Sequence, residues 1–253
     1  MFTCSRTLLA LVVAVPGLVF AQIGSTGVAM FALATSGTAA TQPVNRDLPQ
    51  PMIEYMVKEL LDRLSASAEQ IQQDSSITYE ISNELVVPNL DFPRITRIII
   101  GKHWRDANEK QRQRLIDEIS ALLMRSYVTA MTAYADDTLT DEQIVYIPSR
   151  YQVGDRKASV RSKITLDSGE TIDVRYALYY RDGQWKIYDI SFENISLALT
   201  YRTSFGDIIK NDGLNELISQ LEHRNKKGEI DLPGAVTKKM EESGNGDGKK
   251  ASP

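Results

Sequence analysis

The chain has 253 residues, 42% of them hydrophobic and 25% charged, with 29 Lys+Arg against 33 Asp+Glu and a formal charge of −4. Such a composition fits one good-sized soluble domain with flanking segments, and an acidic balance without a basic block argues against a general nucleic-acid binder. A single cysteine, Cys4, and two histidines, His103 and His223, leave little from which to build a disulfide or a zinc site.

Arg6 precedes an apolar run from Leu8 to Phe20, and Val19-Phe20-Ala21 supplies the small or aliphatic residues that a signal peptidase needs. Residues 1–21 therefore read as a secretory signal. A second uncharged segment, Gly24 to Ala40, offers a later cleavage near Ala39 or Ala40. Pro16, Gly17, Gly24 and Gly27 interrupt the run, which disfavours a retained spanning helix of about 20 apolar residues. Cys4 leaves with the signal, so the mature chain is thiol-free, as suits an oxidising compartment. Loss of Arg6 takes the balance to 28 Lys+Arg against 33 Asp+Glu, or −5.

The folded region is expected over 48–225. From Pro49, Ile53, Met56, Val57, Leu60, Leu61, Leu64 and Ile71 recur at helical spacing and predict one amphipathic helix to about Gln73. Ile77, Ile81, Leu85 and Val86 predict a shorter one that Pro88 stops. Asp91 can cap a third, with Pro93 in its first turn, where a missing N–H costs nothing, and Gly101 suits its end. The longest helix opens on Asn108 with Gln111 in the capping-box position. Its apolar face comprises Leu115, Ile116, Ile119, Leu122, Leu123, Tyr127, Ala130, Met131 and Tyr134.

Beyond Tyr134 the period falls to two. Strands are predicted over Ile144–Tyr151, Lys157–Leu166, Glu170–Tyr180 and Gln184–Leu199, with hairpin turns at Asp167-Ser168-Gly169 and Asp182-Gly183. Ala158, Val160, Ile164 and Leu166 share one face with Ile172, Val174, Tyr176, Leu178 and Tyr180 of the next strand, so one side of the sheet is apolar. Helices around Arg202–Lys210 and from Gly213 to about His223 close the domain. The order predicts an α+β fold: N-terminal helices, then a twisted antiparallel sheet whose apolar face they cover, then C-terminal helices. The tail from Lys226 to Pro253, rich in Gly, Lys, Glu and Ser, has too little apolar surface to order itself and reads as disordered.

No catalytic motif is present. Asp189, in an apolar-aromatic strand, is the best general-base candidate, but a strand carboxylate more commonly accepts backbone or arginine hydrogen bonds, with Arg175 and Arg202 in range by sequence pattern. Arg105 and Arg112 could meet a phosphate, although helix arginines are normally solvated. His103 and His223 suit capping or solvated positions. Trp104, Trp185, Tyr127, Tyr176, Tyr188 and Tyr201 would ordinarily fill a core.

The series Pro88, Asp91, Phe92, Ile99, Gly101, Trp104, Arg105, Gln111, Arg112, Leu122, Leu123 and Tyr127 carries a resemblance. It continues through Trp185-Lys186-Ile187-Tyr188-Asp189, then Ser196, Tyr201, Arg202, Phe205, Gly213, Leu217, Ile218 and Leu221. In this order the residues resemble the MlaC family, periplasmic phospholipid-binding proteins also known as toluene-tolerance auxiliary proteins. The resemblance implies a cone similar to the nuclear-transport-factor type (NTF2-like), with a helical lobe and an apolar lipid cavity. The lining it implies is Leu123, Tyr127, Val160, Ile164, Val174, Tyr176, Leu178, Trp185, Ile187 and Phe205. It further implies a non-enzymatic carrier without cofactor, whose partners are phospholipid, an inner-membrane ABC transporter with its MCE-type subunit, and an outer-membrane lipoprotein complex. A carrier of another apolar lipid, such as a hopanoid or sterol, is the neighbouring reading. A small hydrolase or isomerase in a cone-shaped fold is the reading from another class.

Overall fold

The first apolar repeat folds as two helices rather than one. In the computed structural model, which describes residues 47–134, 140–165, 169 and 171–228, α1 (Pro49–Ala66) ends at Ser67 and α2 (Ala68–Gln73) follows at once. Ser67 leaves helical geometry (φ −108°, ψ 7°), and Met52, Ile53, Met56, Leu60 and Leu64 form the buried stripe of α1. After α3 (Ser76–Leu85) a turn of 3₁₀ helix, Val87–Asn89, carries Pro88 and leads into α4 (Phe92–Ile100).

Both predicted caps form. Asp91 Oδ1 accepts from the Arg94 N–H at 3.1 Å, and Pro93 lies in the first turn of α4, where no intrahelical donor is lost. Before α5 (Glu109–Tyr134), the Gln111 N–H donates to Asn108 Oδ1 and the Asn108 N–H donates to Gln111 Oε1, each at 2.9 Å. The side chains of Ala130, Met131 and Tyr134 lie outside the described residues.

Five strands form one antiparallel meander: β1 (Ile144–Ile147), β2 (Lys157–Thr165), β3 (Thr171–Arg181), β4 (Gln184–Phe192) and β5 (Ile195–Ser196). Arg181 pairs with Gln184 across Asp182-Gly183, both at positive φ (52° and 80°), the two-residue hairpin expected of Asp-Gly. Most of the other predicted turn, Asp167-Ser168-Gly169, lies outside the described residues, as do 1–46 and 229–253 with the predicted signal and most of the tail.

Three boundaries differ from the sequence expectation. β1 stops at Ile147, not Tyr151. β4 stops at Phe192, where Glu193 and Asn194 (φ 49° and 65°) turn the chain into β5, and α6 (Leu197–Asp212) begins where a strand was expected to continue to Leu199. Two acceptors start that helix: Ser196 Oγ takes the Leu199 N–H and Asp189 Oδ1 takes the Ala198 N–H, each at 3.1 Å. Finally, α7 (Leu214–Lys227) runs past His223 and closes on Gly228, so Lys226 and Lys227 belong to its last turn.

Most of the buried apolar side chains fall into three groups. Helices α4 to α7 bury Ile95, Ile99, Leu115, Leu122, Phe205 and Ile218 with their neighbours. The first half of α1 packs Met52, Ile53 and Met56 against Val160, Leu178, Trp185 and Ile187 of the sheet. Its second half joins α2 and α3 through Leu60, Leu64, Ile71 and Ile81. Each such Leu or Ile contributes about 1.5–3 kcal/mol on leaving water. Leu90 packs against all three groups, and at that point the chain is tied to the sheet: the Asp91 N–H donates to the Ile187 carbonyl at 2.9 Å and Lys186 Nζ to the Pro88 carbonyl.

Candidate functional site

Strand register gathers the predicted lining on one face. Val160 stands opposite Tyr176, and Tyr176 opposite Ile190; Leu178 faces Ile187; Ile164 faces Ile172. A bulge between Ala177 and Leu178 leaves Tyr188 as an extra residue in β4. It allows Ile187 and Ile190, three apart, both to join the α1 face. Tyr188 instead packs with the helical group, and the Arg94 guanidinium lies 4.7 Å from its ring and 4.2 Å from that of Tyr179.

The remaining predicted residues divide. Trp185 is at the margin of the face, its Nε1 donating to the Asp47 carbonyl at 3.0 Å and its ring meeting Tyr151 edge-on at 5.3 Å. Val174 is buried opposite Ser162 and Phe192, outside all three packed groups. On α5, Tyr127 turns toward α1 and α3, whereas Leu123, one turn earlier, packs on the helical group. Phe205 belongs to that group as well, 5.5 Å from the Tyr201 ring, and is not brought to the sheet face.

Hydroxyl groups interrupt this apolar setting. Ser162 is 1% exposed between Tyr146 of β1 and Val174 of β3. Among the described residues, Tyr127 OH, Tyr146 OH and Ser162 Oγ are buried without a hydrogen-bond partner, as are Arg94 Nε, Thr96 Oγ1 and Ser126 Oγ. Ser82, beside Tyr127, spends its own proton on the Thr78 carbonyl at 2.6 Å. Dehydration raises the pKa of Tyr127 and of Tyr146 well above the phenol range, and a Tyr176 phenolate nearby would raise each further. Burial pushes Tyr176 itself up to about 12. Yet the Tyr127, Tyr146 and Tyr176 side chains are only half-buried. Their rings thus retain accessible surface while the Tyr127 and Tyr146 hydroxyls are enclosed by the protein. Tyr146 and Ser162 were not singled out from sequence; the available signal was a serine in the apolar row Val160-x-Ser162-x-Ile164.

The other candidate groups are engaged structurally. Asp189 serves the α6 N-terminus, and Arg175 Nη2 donates to Ser191 Oγ at 3.1 Å. Arg112 Nε donates to the Trp104 carbonyl at 3.2 Å, with the guanidinium over the Trp104 ring at 5.5 Å. Arg105 and His223 are exposed, and His103 is half-buried in the 3₁₀ turn Gly101–Trp104. Among the described residues no group of three His, Cys, Asp or Glu could hold a metal, and no helix is long and apolar enough to cross a membrane.

The model of the MlaC protein family matches residues 54–223. The chain belongs to the MlaC family. Among its MlaC-family relatives, the toluene tolerance protein ttg2D of Pseudomonas putida is 28% identical over 166 residues, which are 65% of this chain and 74% of that protein. The intermembrane phospholipid transport system binding protein MlaC of Haemophilus influenzae is 20% identical over 178 residues, 69% of this chain and 80% of that one. The fold is similar to that of a phospholipid-binding protein from Ralstonia solanacearum, solved in complex with a phospholipid. The TM-score is 0.62 at 27% identity, covering 71% of this chain and 97% of that one.

Proposed function

We propose that this MlaC-family protein is a soluble phospholipid carrier of the periplasm, delivered there by the N-terminal signal, with acyl chains held between its helices and the apolar face of β2–β4. It shuttles phospholipid between an outer-membrane lipoprotein complex and an inner-membrane ABC transporter with an MCE-type subunit, and so maintains outer-membrane lipid asymmetry. The observation that carries the reading is the likeness, over 97% of its length, to the Ralstonia protein solved with a phospholipid.

Physical chemistry sets what the carrier must supply. A diacyl lipid has roughly 30 methylenes, and at about 0.8 kcal/mol each their exposure to water costs on the order of 24 kcal/mol. A cleft that nearly matches the bilayer removes that cost, while a headgroup left in water keeps release possible. No bond need be made or broken, and Asp189, the best base candidate by sequence, instead accepts a helix N–H.

The test is mass spectrometry of lipid extracted from protein purified from its periplasmic fraction. A stoichiometric diacyl phospholipid is expected. A hopanoid or sterol in its place would leave a carrier but change its cargo, and protein free of any lipid would overturn the reading.

A further inference from the structure

Alternation divides the residues of β2–β4 between two faces. Val160, Leu178, Trp185 and Ile187 are buried on the side that α1 covers. The residues between them leave the sheet on the other side, among them Lys157, Arg161 and Lys163 of β2, Arg175 of β3 and Lys186 of β4. On β2 that whole row, from Lys157 through Ser159, Arg161 and Lys163 to Thr165, is exposed, so no helix lies over this strand.

The cations are poorly matched by acids. On that face of β2–β4 the acids are Asp173, 3.8 Å from Lys163, and Asp189, which accepts the Ala198 N–H. Among the described residues no ion pair involves Lys157, Arg161 or Arg175. Arg161 stands directly opposite Arg175, a placement in which like charges destabilise a strand pair. Farther along the same face Lys157 and Lys186 flank Tyr179, and the guanidinium groups of Arg94 and Arg156 lie 4.2 Å and 5.8 Å from its ring.

Exposed lysines and arginines are ordinarily interspersed with acids, and this chain holds more acid than base, with a formal charge of −4. Here cations collect within about 20 Å along β2 and about 10 Å across three strands, so neighbours lie within a Debye length of one another. One sign gathered at a cost to the sheet calls for the opposite sign outside the chain. Composition says which kind. Protein interfaces are built on aromatic anchors in pockets and are poor in lysine. This open face instead presents lysine, arginine, serine and threonine, with Val145 exposed at its β1 edge beside Lys163, a surface suited to a plane of anionic headgroups.

We propose that the exposed face of β2 and β3 docks the protein on an anionic bilayer, with Arg161 and Arg175 at the centre of the contact. Charge sets the orientation, because the acidic remainder of the molecule is repelled by the same membrane. Docking of this kind makes no use of the apolar face and goes beyond the carrier reading.

The experiment is sedimentation of the whole protein with vesicles of phosphatidylcholine, alone or with about one third phosphatidylglycerol. Wild type should sediment with the mixed vesicles at low salt and stay in solution with phosphatidylcholine. It should be released at about 1 M salt, where the Debye length is about 3 Å. Arg161→Gln and Arg175→Gln should each weaken binding about fivefold, the factor for one charge near such a surface, and melt at or above the wild-type temperature because a like-charge pair has gone. Lys110→Gln combined with Lys210→Gln takes as much charge as the double arginine variant from exposed positions on α5 and α6, and should change binding little. Wild type that ignores the mixed vesicles at low salt would overturn the proposal, the result expected if the face meets an acidic protein instead. So would equal binding to phosphatidylcholine alone, or a loss in the lysine variant as large as in the double arginine variant. None of these failures touches the carrier reading, which is tested by the extracted lipid.

Discussion

Gly101 and Arg202 touch where the end of α4 meets the start of α6: a methyl group at position 101 would stand 2.6 Å from Arg202 Nε. Gly101 also sits at φ 60°, ψ −127°, a conformation that L side chains avoid. The guanidinium is exposed and can swing away, so the backbone term dominates. Gly101→Ala should therefore cost about 1–3 kcal/mol in urea unfolding. Arg202→Ala should recover only a minor part of that cost in a double-mutant cycle. Recovery of all of it would mean that the contact, not the conformation, requires glycine.

Val174 and Leu178 share one face of β3 but differ in what packs against them. Leu178 is fully buried within the group that joins α1 to the sheet, so Leu178→Glu should unfold the domain, at a cost of several kcal/mol for an unpaired buried carboxylate. Val174 is buried on the same face but outside that group. On the carrier reading, in which Val174 lines a lipid cavity that water can fill once empty, Val174→Glu should leave circular dichroism nearly intact and abolish lipid content. Asp173→Asn on the exposed side serves as control. A folded Val174→Glu protein with full lipid would place the acyl chains elsewhere.

Alkaline titration reads the buried phenols directly. Tyr176 ionises at about 12 in the fold, and Tyr127 and Tyr146 also lie above the phenol range, against about 10 in an unfolded chain. Above pH 10 the unfolded state sheds protons that the folded state keeps. Stability should thus be unaffected below pH 10 and fall between pH 10 and 12. Absorbance at the phenolate band should show Tyr127, Tyr146 and Tyr176 ionising late, together with loss of structure. Ionisation of Tyr127, Tyr146 and Tyr176 near pH 10, with the fold intact, would contradict this burial.

Asp189 should behave as a cap. Its Oδ1 receives the Ala198 N–H, so Asp189→Ala should cost about 1 kcal/mol of stability and Asp189→Asn, which keeps an acceptor, clearly less. Lipid content should be unchanged in both. An activity abolished by Asp189→Asn in a fully stable protein would revive a catalytic role.

Local chemistry was the legible part of this sequence. Asp91, Asn108 with Gln111, and Asp182-Gly183 each specify their turn or cap within four residues, and each formed as read. The error at the end of β4 has a local cause as well. Ile195, Leu197 and Leu199 alternate as a strand would, and only Asn194 followed by Ser196 marks a turn and a new N-cap. Which apolar residues line a cleft and which fill a core was not legible, because both need the same side chains. Leu123 and Phe205 share the helical group, while Tyr127, one turn beyond Leu123, packs with the group formed by α1, α2 and α3. That division depends on helix orientation, and Ser162 becomes informative only once Tyr146 is seen opposite it.

The partition of the apolar interior around Leu90 has a consequence for the empty protein. Close-packed matter tolerates a void poorly, because every atom on its wall loses dispersion partners. Here each of the three groups keeps its own contacts, and Leu90 packs against all three. On the carrier reading proposed above, release of lipid need break no packed unit, and the Leu90–Asp91 tie to β4 is made within the protein itself. A carrier of the kind proposed spends part of each cycle empty, and a subdivided interior suits that state.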